Sequence, residues 1–169
     1  MDRHEGIDEQ LAKVPLFSGL SKKELRLISQ LATYLEEPAG TVLTEEGKAG
    51  HEFIIVLDGE IEVVRDSGQG PQRIVTFGPG TAFGELALID DLPRSASALA
   101  TVPSRLLILY RTHFEDLVAG DRAIALMVSR NLLRLLAGYV RAANVTRAKA
   151  EAAAIPAAVA DAPATPAIR

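Results

Sequence analysis

The sequence predicts an α+β fold: an antiparallel β jelly-roll barrel (a double-stranded β-helix) with N-terminal helices before it and one long C-terminal helix after it. Three observations predict this. Between Gly40 and about Tyr110, short apolar or alternating runs are separated by glycine-bearing turns, the pattern of strands. Helical spacing of apolar residues occurs before and after that stretch. It does not occur between most of the runs, and a parallel sheet would need helical crossovers there.

Each element follows in order. Residues 7–35 read as helical, with Ser21-Lys22-Lys23-Glu24 as a capping box and Leu25, Ile28 and Leu31 as the apolar stripe. Val14-Pro15-Leu16-Phe17 is an apolar turn that should join the same core. Thr41 to Leu43 is the first short strand, followed by Glu45-Glu46-Gly47. Phe53 to Leu57 ends at Asp58-Gly59, a strong turn signal between two strands. Ile61 and Val63 alternate with Glu60 and Glu62, so this strand should have one wet face. Arg65 to Gln72 is a polar hairpin loop, and Arg73 to Phe77 is a strand broken by Gly78-Pro79-Gly80. Ser97 to Val102 and Arg105 to Tyr110 complete the set. Thr112 is the expected cap of a short helix over His113 to Val118, which Gly120 breaks. A long helix is expected over 121–147, with Asp121 as its N-cap. Its apolar face, Ile124, Val128, Leu132, Leu135, Tyr139 and Ala143, is widened by Met127, Leu133, Leu136 and Val140. A stripe that broad predicts packing on the barrel and on a further surface, such as a second subunit. Residues 1–10 read as an N-terminal extension, 11–147 as one domain, and the Ala- and Pro-rich 148–169 as a disordered tail.

Composition narrows the function. A chain of 169 residues is long enough for one domain with a core. Apolar residues at 48% and charged residues at 24% are ordinary for a globular protein. A net charge of −4 turns the reading away from nucleic acid. With no cysteine, disulfides, thiolate metal sites, iron–sulfur clusters and a cysteine nucleophile are all excluded. His4, His51 and His113 are scattered, so no metal site is expected, nor the paired histidines of a cupin enzyme. No Ser/His/Asp grouping stands in a motif, and catalysis is not expected. The charged N-terminus MDRHEGIDEQ lacks an apolar signal segment, and no uninterrupted apolar run reaches the roughly 18 residues of a membrane span. The expected location is the cytoplasm.

One stretch carries chemistry: FGELALIDDLPRSA, residues 83–96. As a dinucleotide fingerprint, GPGTAFGE is one residue too long and lacks a βαβ setting. No Walker A motif precedes Gly47-Lys48 either. The stretch reads better as a site for a small phosphorylated sugar. Gly84 admits a close backbone approach. Glu85 to Ile89 fits a short helical turn, whose first N–H groups suit a phosphate. Arg94, fixed by Pro93, offers a planar fork of donors for two phosphate oxygens. Glu85 repels phosphate and suits a sugar hydroxyl instead. The alternative is an ordinary surface ion pair between Glu85 and Arg94, which carries little energy.

The stretch closely resembles the phosphate-binding cassette of the cyclic nucleotide-binding domain family. LAKVPLFSGLSKKEL resembles the family's helical entry, and AGTVLTEEG followed by FIIVLDGEIEVV its early strands, so the likeness runs from about Leu11 to Ala143. The resemblance implies a stand-alone sensor that binds cAMP, with cGMP open. In it, Glu85 takes the ribose 2′-hydroxyl and Arg94 the cyclic phosphate. Gly84, Leu86 and Ala87 give backbone groups, and Ser95 adds a hydroxyl to phosphate or base. The family's long helix closes over the base. There Tyr139 and Val140 are the candidates, Tyr139 as a stacking surface or, equally, as a core or dimer residue at helical spacing. Arg134 and Arg141 read as solvated. No cofactor is implied beyond the ligand. Only the Ala/Pro tail follows the long helix, where the family's transcription factors carry a DNA-reading helix-turn-helix. The expected output is therefore a protein partner in trans, with a homodimer through 121–147 and neither DNA nor membrane as partners. A protein-interaction or dimerisation module with a vestigial nucleotide site is the alternative.

Overall fold

A computed structural model describes residues 6–154. Helices α1 (Ile7–Leu11) and α2 (Lys22–Leu31) flank a 3-10 turn at Pro15–Phe17. Eight strands follow: β1 (Thr33–Glu37), β2 (Val42–Thr44), β3 (Glu52–Asp58), β4 (Ile61–Asp66), β5 (Pro71–Phe77), β6 (Ala82–Phe83), β7 (Ser97–Ala100) and β8 (Ser104–Tyr110). A 3-10 turn at Glu85–Leu88 stands between β6 and β7, and α3 (Arg111–Gly120) and α4 (Arg122–Ala154) close the described chain.

The strands form two antiparallel sheets, ordered β1-β8-β3-β6 and β2-β7-β4-β5. This is the jelly-roll-like barrel that the alternating runs predict. Between the sheets lie Ile54, Val56, Ile61, Phe83, Ala98, Ala100, Leu106 and Ile108. Phe77 stacks on Phe83 at 5.3 Å between ring centroids, at the end of the barrel that feeds the cassette.

Several sequence expectations hold in detail. Ser21 Oγ accepts from the Glu24 N–H, and the Glu24 carboxylate accepts from the Ser21 N–H, closing the capping box. Hydrogen bonding to its carboxylate from Ser21, the side chain first and the backbone N–H second, holds the Glu24 carboxyl below the usual carboxylate range. Asp121 caps α4 by accepting from the Ala123 and Ile124 N–H groups. β3 ends at Asp58 and β4 starts at Ile61, as the Asp58-Gly59 turn requires.

Others do not. The expected helix over 7–35 breaks at Pro15–Phe17 and ends at Leu31. Thr33 and Tyr34, a β-branched and an aromatic residue, open β1, which pairs with β8. Thr112 does not cap α3. The helix begins two residues earlier, at Arg111, with Tyr110 in the N-cap position and no side-chain cap. Residues 7–10, expected in the N-terminal extension, belong to α1, and Ile7 is buried. α4 continues to Ala154 rather than stopping at 147, because alanine is the best helix former and no proline intervenes before Pro156. Residues 1–5 of the expected extension and 155–169 of the expected tail lie outside the described residues.

The chain divides into two compact units, one through Leu132 and one from Leu133. The first contains the barrel and the start of α4. There Ile124, Val128 and Leu132 are buried, and the buried Asn131 amide donates to the Leu16 and Ser18 carbonyls at 3.0 and 2.8 Å. By length and composition the stretch Arg122–Lys149 meets the measure of a membrane span. Its start, with Ile124, Val128 and Leu132 buried and Asn131 bonded to Leu16 and Ser18, packs into the core of the first unit.

Candidate functional site

The site forms where three segments of the first unit meet. The first is β6 and the turn after it. Gly84 ends β6 with φ +84°, a left-handed conformation that a side chain rarely adopts. The chain then enters the 3-10 turn at once, and the Ala87 N–H donates to the Gly84 carbonyl at 3.1 Å. Ala87 and Leu88 are buried and anchor the turn, while Leu86 is exposed and Glu85 is partly exposed. The first N–H groups of such a turn have no acceptor within it.

The second segment is the arginine strip. Arg94 is fixed through its backbone first. The Gly47 N–H donates to the Arg94 carbonyl, and the Arg94 N–H donates to the Lys48 carbonyl, each at 2.8 Å. The strip is braced again at Ser95, whose carbonyl accepts from Arg65 Nε at 2.9 Å. Ser95 itself is exposed.

The third segment, residues 50–52, seats the guanidinium. Arg94 Nη2 donates to both the Glu52 carbonyl and the Glu52 carboxylate, each at 2.8 Å. The Arg94 side chain is only 9% exposed, against 36% for Glu52. Gly50 is buried against it, and a Cβ there would stand 2.0 Å from Arg94 Nε. Arg94 Nε is buried without a hydrogen-bond partner. On the far side, a Cβ at Gly84 would stand 2.6 Å from Nη1. Two glycines thus make room for one guanidinium, and its Nη1 lies against the head of the cassette turn.

This arrangement concentrates positive charge where the turn's N–H groups begin. A buried arginine with one partly exposed counter-charge is a good receptor for a second anion, which adds charge-assisted bonds without fresh desolvation of the cation. A cavity of about 210 Å³ opens beside it, walled by Thr44, Lys48, Ala49, Glu52 and Arg94 among others. None of Gly84 to Ala87 lines that cavity.

Of the residues singled out from the sequence, Gly84 and Arg94 are in direct apposition. Glu85, Leu86 and Ala87 follow on the turn, and Ser95 lies on the braced strip. The ordinary Glu85–Arg94 ion pair is not formed among the described residues, since the carboxylate on Arg94 is that of Glu52. Tyr139 lies on α4 in the second unit and is exposed. Sequence reasoning missed Gly50 and Glu52. Glycine in Glu46-Gly47-Lys48-Ala49-Gly50 signals a turn, and nothing local ties Glu52 to an arginine 42 positions on. Among the described residues no three His, Asp or Glu side chains group as metal ligands.

Comparison with known proteins agrees with this geometry. The family described as "Cyclic nucleotide-binding domain" matches residues 35–121. The chain is 36% identical over 132 residues to a "Cyclic AMP receptor protein" of Thermus thermophilus, a match that covers 78% of this chain and 59% of that protein. It is 36% identical over 108 residues to a "cAMP-dependent protein kinase regulatory subunit" of Aspergillus fumigatus, covering 64% of this chain and 26% of that one. The chain therefore spans between a quarter and three fifths of these relatives' lengths. A solved cyclic nucleotide-binding domain from Methylobacillus flagellatus superposes with a TM-score of 0.72 at 33% identity, covering 81% of this chain and 78% of that structure. With the barrel, the cassette turn and the buried arginine all in place, the chain belongs to the cyclic nucleotide-binding domain family.

Proposed function

We propose that this protein binds a cyclic nucleotide, cAMP in the first place with cGMP open, and passes the occupancy through α4 to a protein partner in trans. The observation that carries the reading is Arg94, buried, seated by two glycines and set against the head of the cassette turn. The printed names of the relatives, a cyclic AMP receptor and a cAMP-dependent kinase regulatory subunit, favour cAMP. In this reading the cyclic phosphate meets Arg94 Nη1 and the turn's N–H groups. Glu85 and Ser95 contact the ribose and the phosphate or base. Ligand shifts the population toward a state with the cassette drawn in, by no more than its differential affinity for that state.

Calorimetric titration of the 169-residue chain with each nucleotide tests it. A dissociation constant of about 1 μM or tighter, near −8 kcal/mol, is expected for at least one of them. No heat and no thermal shift with either would overturn it. Glu85→Ala tests the ribose contact. We expect it to lower affinity for cAMP about tenfold and to leave 2′-deoxy-cAMP bound as by the native chain, the loss of one hydrogen bond to a charged acceptor. An equal loss for both ligands would remove Glu85 from the 2′-hydroxyl.

The second unit favours the output assigned to α4. Leu133, Val140 and Val145 are exposed there, at 67%, 60% and 54%. Apolar residues so placed suit a partner helix or a second copy of the chain. Light scattering with and without cAMP separates a ligand-controlled assembly from a constitutive interaction module, whose oligomeric state would ignore the nucleotide.

A further inference from the structure

We infer that Arg111 is the positioning residue of the cassette, fixing the far end of residues 84–91 so that the near end meets ligand in its binding geometry. The identity of the ligand rests on the cyclic nucleotide reading above; the positioning does not.

Arg111 is the first residue of α3, and its side chain is 12% exposed. Its Nε donates to the Ala87 carbonyl at 2.7 Å. Its Nη2 donates to the Asp90 carbonyl, and its Nη1 pairs with the Asp91 carboxylate. Its own N–H donates to the His51 carbonyl at 2.8 Å. His51 stands between Gly50 and Glu52, the two residues that seat Arg94. One residue thus joins the cassette's far end, the arginine seat and the start of α3.

The chemistry requires such a residue. A 3-10 turn of four residues has poor hydrogen-bond geometry and little stability of its own. Its terminal carbonyls need donors from elsewhere. A guanidinium supplies several in one rigid plane, so it fixes the spacing of Ala87 and Asp90, where a flexible ammonium would not. The positive charge also stands at the carbonyl end of the turn, the favourable end for a cation. At the other end the N–H groups stay available for an anion. Arg111 bonds none of the residues assigned to the ligand except through the carbonyl of Ala87. Its effect on binding therefore passes through the shape of the cassette.

The test uses Arg111→Met, Arg111→Lys and Asp91→Ala in the full chain, with two readouts. The first is amide exchange in ligand-free protein at Ala87, Ile89 and Asp90, whose N–H groups bond within the cassette. The second is the affinity and off-rate for cAMP. In Arg111→Met we expect exchange at those three amides to rise about tenfold or more, with β3 and β8 unchanged. cAMP affinity should fall about tenfold, mostly through faster release. Arg111→Lys should recover part of both, and Asp91→Ala should fall between. Native exchange in Arg111→Met overturns the inference, and so does a loosened cassette with native affinity. If Arg111→Met fails to fold, Asp91→Ala decides, because the Asp91 side chain is 84% exposed and its loss leaves the core intact. Native exchange and affinity in Asp91→Ala then overturn the inference. If the native chain binds neither cAMP nor cGMP, the ligand assignment fails, and the exchange at Ala87, Ile89 and Asp90 alone decides the positioning.

Discussion

Arg94→Ala is expected to weaken cAMP binding by about a hundredfold or more, the loss of two charge-assisted bonds to a phosphate. The fold should survive it. Glu52, left without its partner, is already 36% exposed on its side chain and can hydrate. The deletion also removes Nε, which is buried without an acceptor, so part of the lost packing is offset. The strip itself is held through the Arg94 main chain by Gly47 and Lys48, and alanine keeps those bonds. Calorimetry and a thermal melt on the same sample check both halves. Affinity within threefold of the native chain would exclude Arg94 as the phosphate ligand. Arg94→Lys should recover little, because an ammonium cannot reproduce a planar fork that reaches Glu52 on one side and the cassette head on the other.

Gly50→Ala is expected to lower cAMP affinity by about tenfold to a hundredfold while changing the melting temperature little, since one added methyl moves a buried side chain off its site. The backbone at Gly50 is outside the left-handed region, so alanine fits the main chain. What it does not fit is Arg94. A methyl 2.0 Å from Nε and 2.6 Å from Cζ drives the guanidinium from its seat. The two substitutions make a cycle. If Gly50 acts only through Arg94, Gly50→Ala should add almost nothing in an Arg94→Ala background. Additive losses would mean that Gly50 touches the ligand by another route.

How much of this was legible in the sequence depends on where each partner lies along the chain. The capping box of α2, the Asp121 cap of α4 and the Asp58-Gly59 turn, which carries the chain from β3 in one sheet to β4 in the other, each close within a few residues. All three could be read directly. β1 could not, because Thr33–Glu37 becomes a strand only by pairing with β8, at Ile108 through Ser104. Two-residue β6 is likewise too short to show any period. The same division runs through the site. Gly84, Glu85 and Arg94 stood out because they share one fourteen-residue stretch. Glu52 and Arg111 did not, because their meaning arises from bonds spanning 42 and 24 positions. The Ala-rich segment after 147 illustrates the opposite error. Composition read it as tail, while helix propensity carried α4 on to Ala154.

The reciprocal bonds between Gly47, Lys48 and Arg94 have a kinetic consequence. They join segments almost fifty positions apart, so closing the pair carries a loop-entropy cost that contacts within the intervening strands help to offset. Residues 47–94 include β3 to β6, and we expect the arginine seat to be finished only after those strands have come together. A chain still on its way to the native state then has no site to offer. Nucleotide added during refolding should leave the rate of folding unchanged, while nucleotide added to the native protein should slow its unfolding in proportion to occupancy. The ligand would act as a lock on a finished structure, and paired stopped-flow traces with and without cAMP would show it on one limb of the chevron and not on the other.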